Sequence, residues 1–147
     1  MRFTEARQGR IFILRLEHGD RIPETIEIFA REHQIGAAAV WMLGGADAHS
    51  KIVAGPEDGA AERPVPMIAG LPGVCEAVGF GTIFCNAEDE PVLHLHASFG
   101  RGDAAKTGCA RAGVEIWQIG EVIVMELLDS SAHRSLNPVN GFELLEV

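Results

Sequence analysis

In the run Leu93, His94, Leu95, His96, Ala97, apolar residues alternate one for one with imidazoles, with Pro91 before the run and Gly100 after it. Period two is the period of a strand and not of a helix, so successive side chains leave on opposite faces. The chain is thereby committed to a sheet with one apolar face. On the other face His94 and His96 bring their ring nitrogens close enough to share one ion. Such a pair is read either as the polar side of a half-exposed strand or as two nitrogen ligands of a metal.

The residues that follow supply a third donor. Ser98 to Lys106, with Gly100, Gly102 and Asp103, has hairpin chemistry, and the chain returns through Thr107, Gly108 and Cys109. An antiparallel return brings the Cys109 thiol to the histidine face, with His133 as the reserve third ligand. Two nitrogens and one sulfur leave a fourth position open, the arrangement of a catalytic or ligand-exchanging zinc and not of a closed structural one. A thiolate in the set favours softer ions and weakens Lewis acidity relative to three neutral imidazoles.

Around this centre the chain reads as a succession of strands with a single early helix. Arg10 to Leu16 is a first strand. A helix is expected from Pro23 to about His33, since Ile22, Ile26, Phe29 and Ala30 recur at helical spacing and Glu24 complements its dipole. His18 and His33 are expected to be solvated. Ala37 to Leu43 is a continuous apolar run that fits a buried strand, and Gly44 and Gly45 free the backbone for a bulge or for close approach to a ligand. Two short strands follow, Ile52 with Val53 and Val65 to Ala69, around an acidic loop, residues 55–64, that is either a lid or a plain solvated connection.

Val74 to Cys85 is expected to be a strand bent by a bulge at Gly79 and Gly81, joined to the histidine strand through Asn86 to Pro91. Glu76 on that strand is a candidate general base or supporting partner across the sheet, against the plain alternative that it faces water. Gly113 to Trp117 and Gly120 to Leu127 read as the last long strand or strand pair, and Phe142 to Leu145 as an edge strand after turns at Asn137–Pro138 and Asn140–Gly141. The architecture is α+β, a mostly antiparallel sheet with few helices, in one domain over residues 1–147.

Composition narrows the partners. The net charge is −9, with 12 basic residues among 21 acidic ones, so the concentrated basic face that phosphate contacts need is missing and direct nucleic-acid binding is not expected. Cys75, Cys85 and Cys109 are odd in number with no CxxC spacing, and Cys75 and Cys85 suit small buried hydrophobes. The polar start of the chain does not read as a signal peptide, no apolar run suits a membrane span, and a cytoplasmic protein is expected.

The run Leu93 to Ser98, the Gly108–Cys109 return, the strand Glu121 to Leu127 and the closing segment Arg134 to Leu145 together resemble the PPC domain. This domain is shared by plant AT-hook nuclear proteins and small prokaryotic proteins, and the resemblance covers nearly the whole chain. In that family three histidines resemble metal ligands, and laying Gly113, Trp117 and Glu121 on its pattern puts Cys109 in the place of the third and Thr107 in that of a glycine. The resemblance also implies a homotrimer with each metal site near a subunit boundary, which the absence of tyrosine and the 47% hydrophobic share fit. It puts Arg134 at a recurrent arginine position, where the side chain either anchors the tail or meets an anionic ligand. The plant relatives are thought to touch DNA through a separate AT-hook, and this chain has no such segment.

Three functions follow as alternatives. One is a small trimeric binding protein that holds a divalent metal, zinc by its ligand chemistry, through His94, His96 and Cys109, with an open position for an anionic or carbonyl-bearing ligand. The second is a metal-dependent enzyme, a hydrolase or lyase, in which a carboxylate such as Glu76 takes a proton from metal-bound water. The third is a structural module with a vestigial site. No HExxH, nucleophile elbow, P-loop or dinucleotide fingerprint is present.

Overall fold

Alternation of apolar and polar residues produces the sheet that the sequence leads one to expect. The computed structural model describes residues 1–147. Its strands are β1 (Arg7–Glu17), β2 (Arg21–Ile22), β3 (Ala37–Ala46), β4 (Lys51–Pro56), β5 (Pro66–Gly70), β6 (Cys75–Cys85), β7 (Pro91–Arg101), β8 (Ala104–Cys109), β9 (Val114–Leu128), β10 (His133–Leu136) and β11 (Glu143–Glu146). One α-helix, α1 (Glu24–Glu32), follows β2, and a single 3-10 turn, Ala110–Ala112, follows β8. The large sheet has the order β1-β9-β3-β6-β7-β8-β4-β5, with β2 beside β9, and every pairing is antiparallel. The fold is thus mostly antiparallel β with one helix. That helix is not long and apolar enough to cross a membrane.

The core lies on one face of the sheet. Leu16, Val122, Val124, Val40, Met42, Ile83, Leu93, Leu95 and Phe99 point into it, and Ile26 and Ala30 of α1 close it from above. Pro23 stands at the N-cap of α1, and the apolar stripe expected from the sequence is the stripe that is buried. Phe29 meets Phe12 edge-on, with ring centroids 5.3 Å apart.

Two glycine sites behave differently. At Gly44–Gly45 the register against β9 shifts, because Gln118, with φ 65°, and Ile119 form a bulge opposite. A β-carbon on Gly44, where φ is +145°, would come within 2.4 Å of the Ile119 carbonyl oxygen. The bulge expected at Gly79 and Gly81, by contrast, is absent, since β6 keeps an unbroken register with β3 and β7. These two glycines are on the core side, and they let β7 approach. A β-carbon on Gly81 would stand 2.5 Å from the His94 carbonyl oxygen and 2.8 Å from the Leu95 Cα.

Other expectations are corrected by the same alternation. The run Ala37 to Leu43 is not buried throughout, for Trp41 and Leu43 face outward and are 41% and 54% exposed. The turn after the histidines is only Gly102–Asp103, because β7 continues to Arg101 and β8 begins at Ala104. The last long element is one strand, β9, kinked at Gln118. Residues 143–146 do not edge the large sheet but pair with β10 in a separate two-stranded ribbon.

A further bulge, between Gln8 and Ile11 of β1, lies opposite a buried carboxylate on β9. Glu126, 6% exposed, accepts the Arg10 backbone N–H at 3.0 Å and the Arg10 guanidinium at 2.8 and 2.6 Å. The side-chain hydrogen bonds from Arg10 hold its carboxyl at about 2, against an ordinary 4.5, despite the opposing effect of burial.

Two outcomes are expected. A carboxyl lowered in the folded state contributes stability above its unfolded pKa and loses it as the pH falls through the folded one. Glu126→Gln should therefore lower the thermal midpoint at pH 7, and the gap to wild type should close between about pH 4.5 and pH 2 in a pH series of melting curves. Gly81→Ala should cost about 1–3 kcal/mol in urea unfolding, because the two nearest atoms it meets are backbone and cannot swing aside.

Candidate metal centre

The strand pairing that buries Leu93, Leu95 and Ala97 turns His94 and His96 to the opposite face. A single cross-strand row then runs Ile13, Ile123, Trp41, Phe80, His96, Cys109 across six strands. His96 and Cys109 are direct partners in this row, so the thiol faces the imidazole as the hairpin reading requires. His94 and His96 present their Nε2 atoms to each other at 3.0 Å. With the Cys109 Sγ, the three donor atoms lie within 4.8 Å of one another.

This donor set suits a divalent ion. Zinc–nitrogen bonds of about 2.0–2.1 Å at a tetrahedral angle put two ligating nitrogens about 3.3 Å apart, close to the spacing found here. The sulfur has to close by on the order of 1 Å from the widest separation to reach tetrahedral zinc–sulfur geometry. Cys109 is 3% exposed, yet it lines two adjoining cavities, so a ligand can reach it without opening the core. His94 keeps an exposed edge, but burial of its ring lowers its pKa, helped by His96, Arg134 and Arg111. A neutral imidazole with a free lone pair is the form that binds a metal.

The cavity beside the pair exists because the chain leaves the sheet early. β8 pairs with β7 only from His96 to Arg101, and after Cys109 the 3-10 turn carries the backbone away. The edge of β7 at Val92, Leu93 and His94 is therefore unpaired by any strand. Its Leu93 N–H instead donates to the Glu27 carboxylate of α1 at 2.9 Å, and burial raises the pKa of that carboxyl. The resulting cavity, about 540 Å³, is bounded by His94 and Cys109, by Arg111 and Arg134, and by Phe142 and Glu143 of the terminal ribbon segment. Arg111 lies over the Phe142 ring at 5.7 Å.

Arg134, for which the resemblance left tail anchoring and anion binding as alternatives, lines this same cavity. It is 6% exposed and donates to Thr82 Oγ1 at 3.4 Å, and Thr82 is the cross-strand partner of His94. Glu76 is elsewhere. It pairs with Gly100, four residues up the strand from the Phe80–His96 pair, which at about 3.3 Å per residue is roughly 13 Å away. It lines neither cavity at the cluster. His133 is also outside, with its Nδ1 on the Ser131 carbonyl, and His18 accepts the Gln118 N–H. Arg111, Glu27 and Phe142 were not singled out by the sequence. Arg111 is two residues past Cys109, but its place depends on the 3-10 turn, for which the sequence holds no signal.

Comparison with known proteins gives the family and the fold. The model of the Plants and Prokaryotes Conserved (PCC) domain matches residues 3–128. No protein of curated function matches the sequence. A metal-containing protein from Archaeoglobus fulgidus is similar in structure over 100% of both chains, with 24% identity and a TM-score of 0.85. A plant- and prokaryote-conserved protein from Pyrococcus horikoshii is similar over 100% of this chain and 98% of its own, at 21% identity and a TM-score of 0.85. A candidate DNA-binding protein from Ralstonia eutropha is similar over 92% and 90%, at 20% identity and 0.70. At these identities the solved structures establish the fold, and the domain model establishes the family: the chain belongs to the Plants and Prokaryotes Conserved (PCC) domain family.

Proposed function

We propose that this protein is a homotrimeric binding protein that holds a divalent metal ion, zinc by preference, through His94, His96 and Cys109, with one coordination position left for a small ligand. The observation that carries the reading is the convergence of two imidazole nitrogens, 3.0 Å apart, on a cross-strand thiol at the mouth of a cavity. The metal-containing relative from Archaeoglobus fulgidus supports it. Direct DNA contact is not part of the proposal, because 12 basic residues are diluted among 21 acids.

Assembly is read from the outer sheet face. Ile13, Trp41, Leu43, Val78, Phe80 and Ile123 are each more than two-fifths exposed, and they form one apolar surface that ends at His96. An exposed apolar surface of this kind marks an interaction site. The number three comes from the family resemblance, and a boundary here would put the metal centre at its rim.

A second reading, a metal-dependent hydrolase or lyase, is favoured by Glu27 rather than by Glu76. Glu27 lines the cavity that opens on His94 and Cys109, and burial raises its pKa above the ordinary carboxyl value. Hydrolysis of a simple ester by the metal-loaded protein, lost in Glu27→Gln with metal retained, would make the protein an enzyme.

Purification without chelators should give about one ion per chain by elemental analysis, and the His94→Ala/His96→Ala variant should carry none. Cys109→Ala should weaken zinc affinity by more than the about 10–100-fold lost when only a supporting partner of a ligand is removed. Metal-free wild type after incubation with zinc would sink the reading. Light scattering should give about 47 kDa, three times the chain mass of 15.8 kDa, and Phe80→Glu should shift this toward the monomer. A wild-type monomer would rule out the trimer.

A further inference from the structure

Although Glu143 lies near enough to act on it through space, Arg134 is a buried cation with no carboxylate in salt-bridge contact. It takes part in none of the chain's ion pairs. Its single side-chain hydrogen bond is the long one to Thr82, and its Nε, sealed from solvent, has no partner. A guanidinium carries five N–H donors, and leaving it buried and unpaired is costly. Such a group is retained where something else supplies the negative charge. Arg134 lines the cavity that also opens on His94 and Cys109, and Arg111 lines the same space.

The charge balance of the cavity says how much negative charge is missing. Its two arginines are offset by Glu27 and Glu143, of which Glu27 is already bonded to Leu93. A divalent ion held by two neutral imidazoles and one thiolate adds a single uncompensated positive charge. One negative charge completes the site, whereas a phosphate dianion would overshoot it. The remaining walls, Val92, Leu93, Phe142 and Leu144, are apolar. A volume of about 540 Å³ is within the usual range for small-molecule sites.

We infer that this cavity binds a small organic monocarboxylate, its carboxylate paired with Arg134 and Arg111 and its apolar remainder against Val92 and Phe142. The inference deepens the reading of the metal centre and rests on it for the charge balance. Arginine suits the role because its planar fork matches both carboxylate oxygens, which lysine cannot do. Neither arginine is a metal ligand.

Calorimetric titration of the zinc-loaded protein with sodium butyrate, butyramide and inorganic phosphate tests this. Butyrate should bind, and butyramide and phosphate should bind at least tenfold more weakly. Arg134→Lys should weaken butyrate at least tenfold with zinc content and assembly unchanged, and Arg111→Met should weaken it as well. Butyrate affinity unaltered in Arg134→Lys and Arg111→Met, or phosphate bound more tightly than butyrate, overturns the inference. So does a zinc-loaded trimer that binds no butyrate while Arg134→Met breaks it into monomers, for then a partner's carboxylate occupies the arginine. Failure of the metal reading has a different signature. A protein that takes up no zinc but binds butyrate in an Arg134-dependent manner keeps the arginine site and loses the ion.

Discussion

Register is the constraint on which this molecule depends. From Ala37 opposite Phe84 to Ala46 opposite Cys75, and from Glu76 opposite Gly100 to Cys85 opposite Pro91, strands β3, β6 and β7 run without a slip. A shift of one residue would send Leu93, Leu95 and Ala97 to water and both histidines into the core. The apolar side fixes the register by burial, and the histidine side is placed as a consequence. Gly79 and Gly81 belong to the same arrangement, since the core between β6 and β7 has no room for a β-carbon at either position.

Where register ends, the site begins. The sheet is continuous up to His96 opposite Cys109, and one residue later the chain turns out of it. That departure leaves a strand edge facing a helix, a ribbon and two arginines instead of another strand. Glu27 satisfies the Leu93 N–H so exposed, and the terminal ribbon delivers Arg134 and Phe142 over the gap. Charge and shape at the site come from residues distant in sequence, held at one point by the end of a single pairing.

The legible part of the sequence is the part governed by periodicity. Leu93 to Ala97 announces its strand and the common face of its histidines. The first helix is equally plain, with Pro23 at its start and Ile26 and Ala30 on its buried stripe. Glycine was ambiguous, because the same residue serves a bulge at Gly44–Gly45 and close approach at Gly79 and Gly81, and only the neighbouring strand decides between them. Glu76 shares a strand face with the cluster, but position along a strand depends on register, which one sequence does not print. Arg111 and Glu27 became part of the site through a 3-10 turn and a helix–strand contact, neither of which has a local pattern.

The Glu27 carboxylate on the β7 edge also bears on how the protein behaves when crowded. An unpaired strand edge is a template on which a stray chain can lengthen the sheet, and fibre growth begins in that way. Here the exposed donor of Leu93 is already occupied by a charged group that a foreign backbone would have to displace. At the far end of the sheet Pro66 starts β5, and a proline offers an incoming strand no N–H. At the β7 edge a foreign strand would have to displace a carboxylate, whereas the space beside the histidines stays open to small solutes.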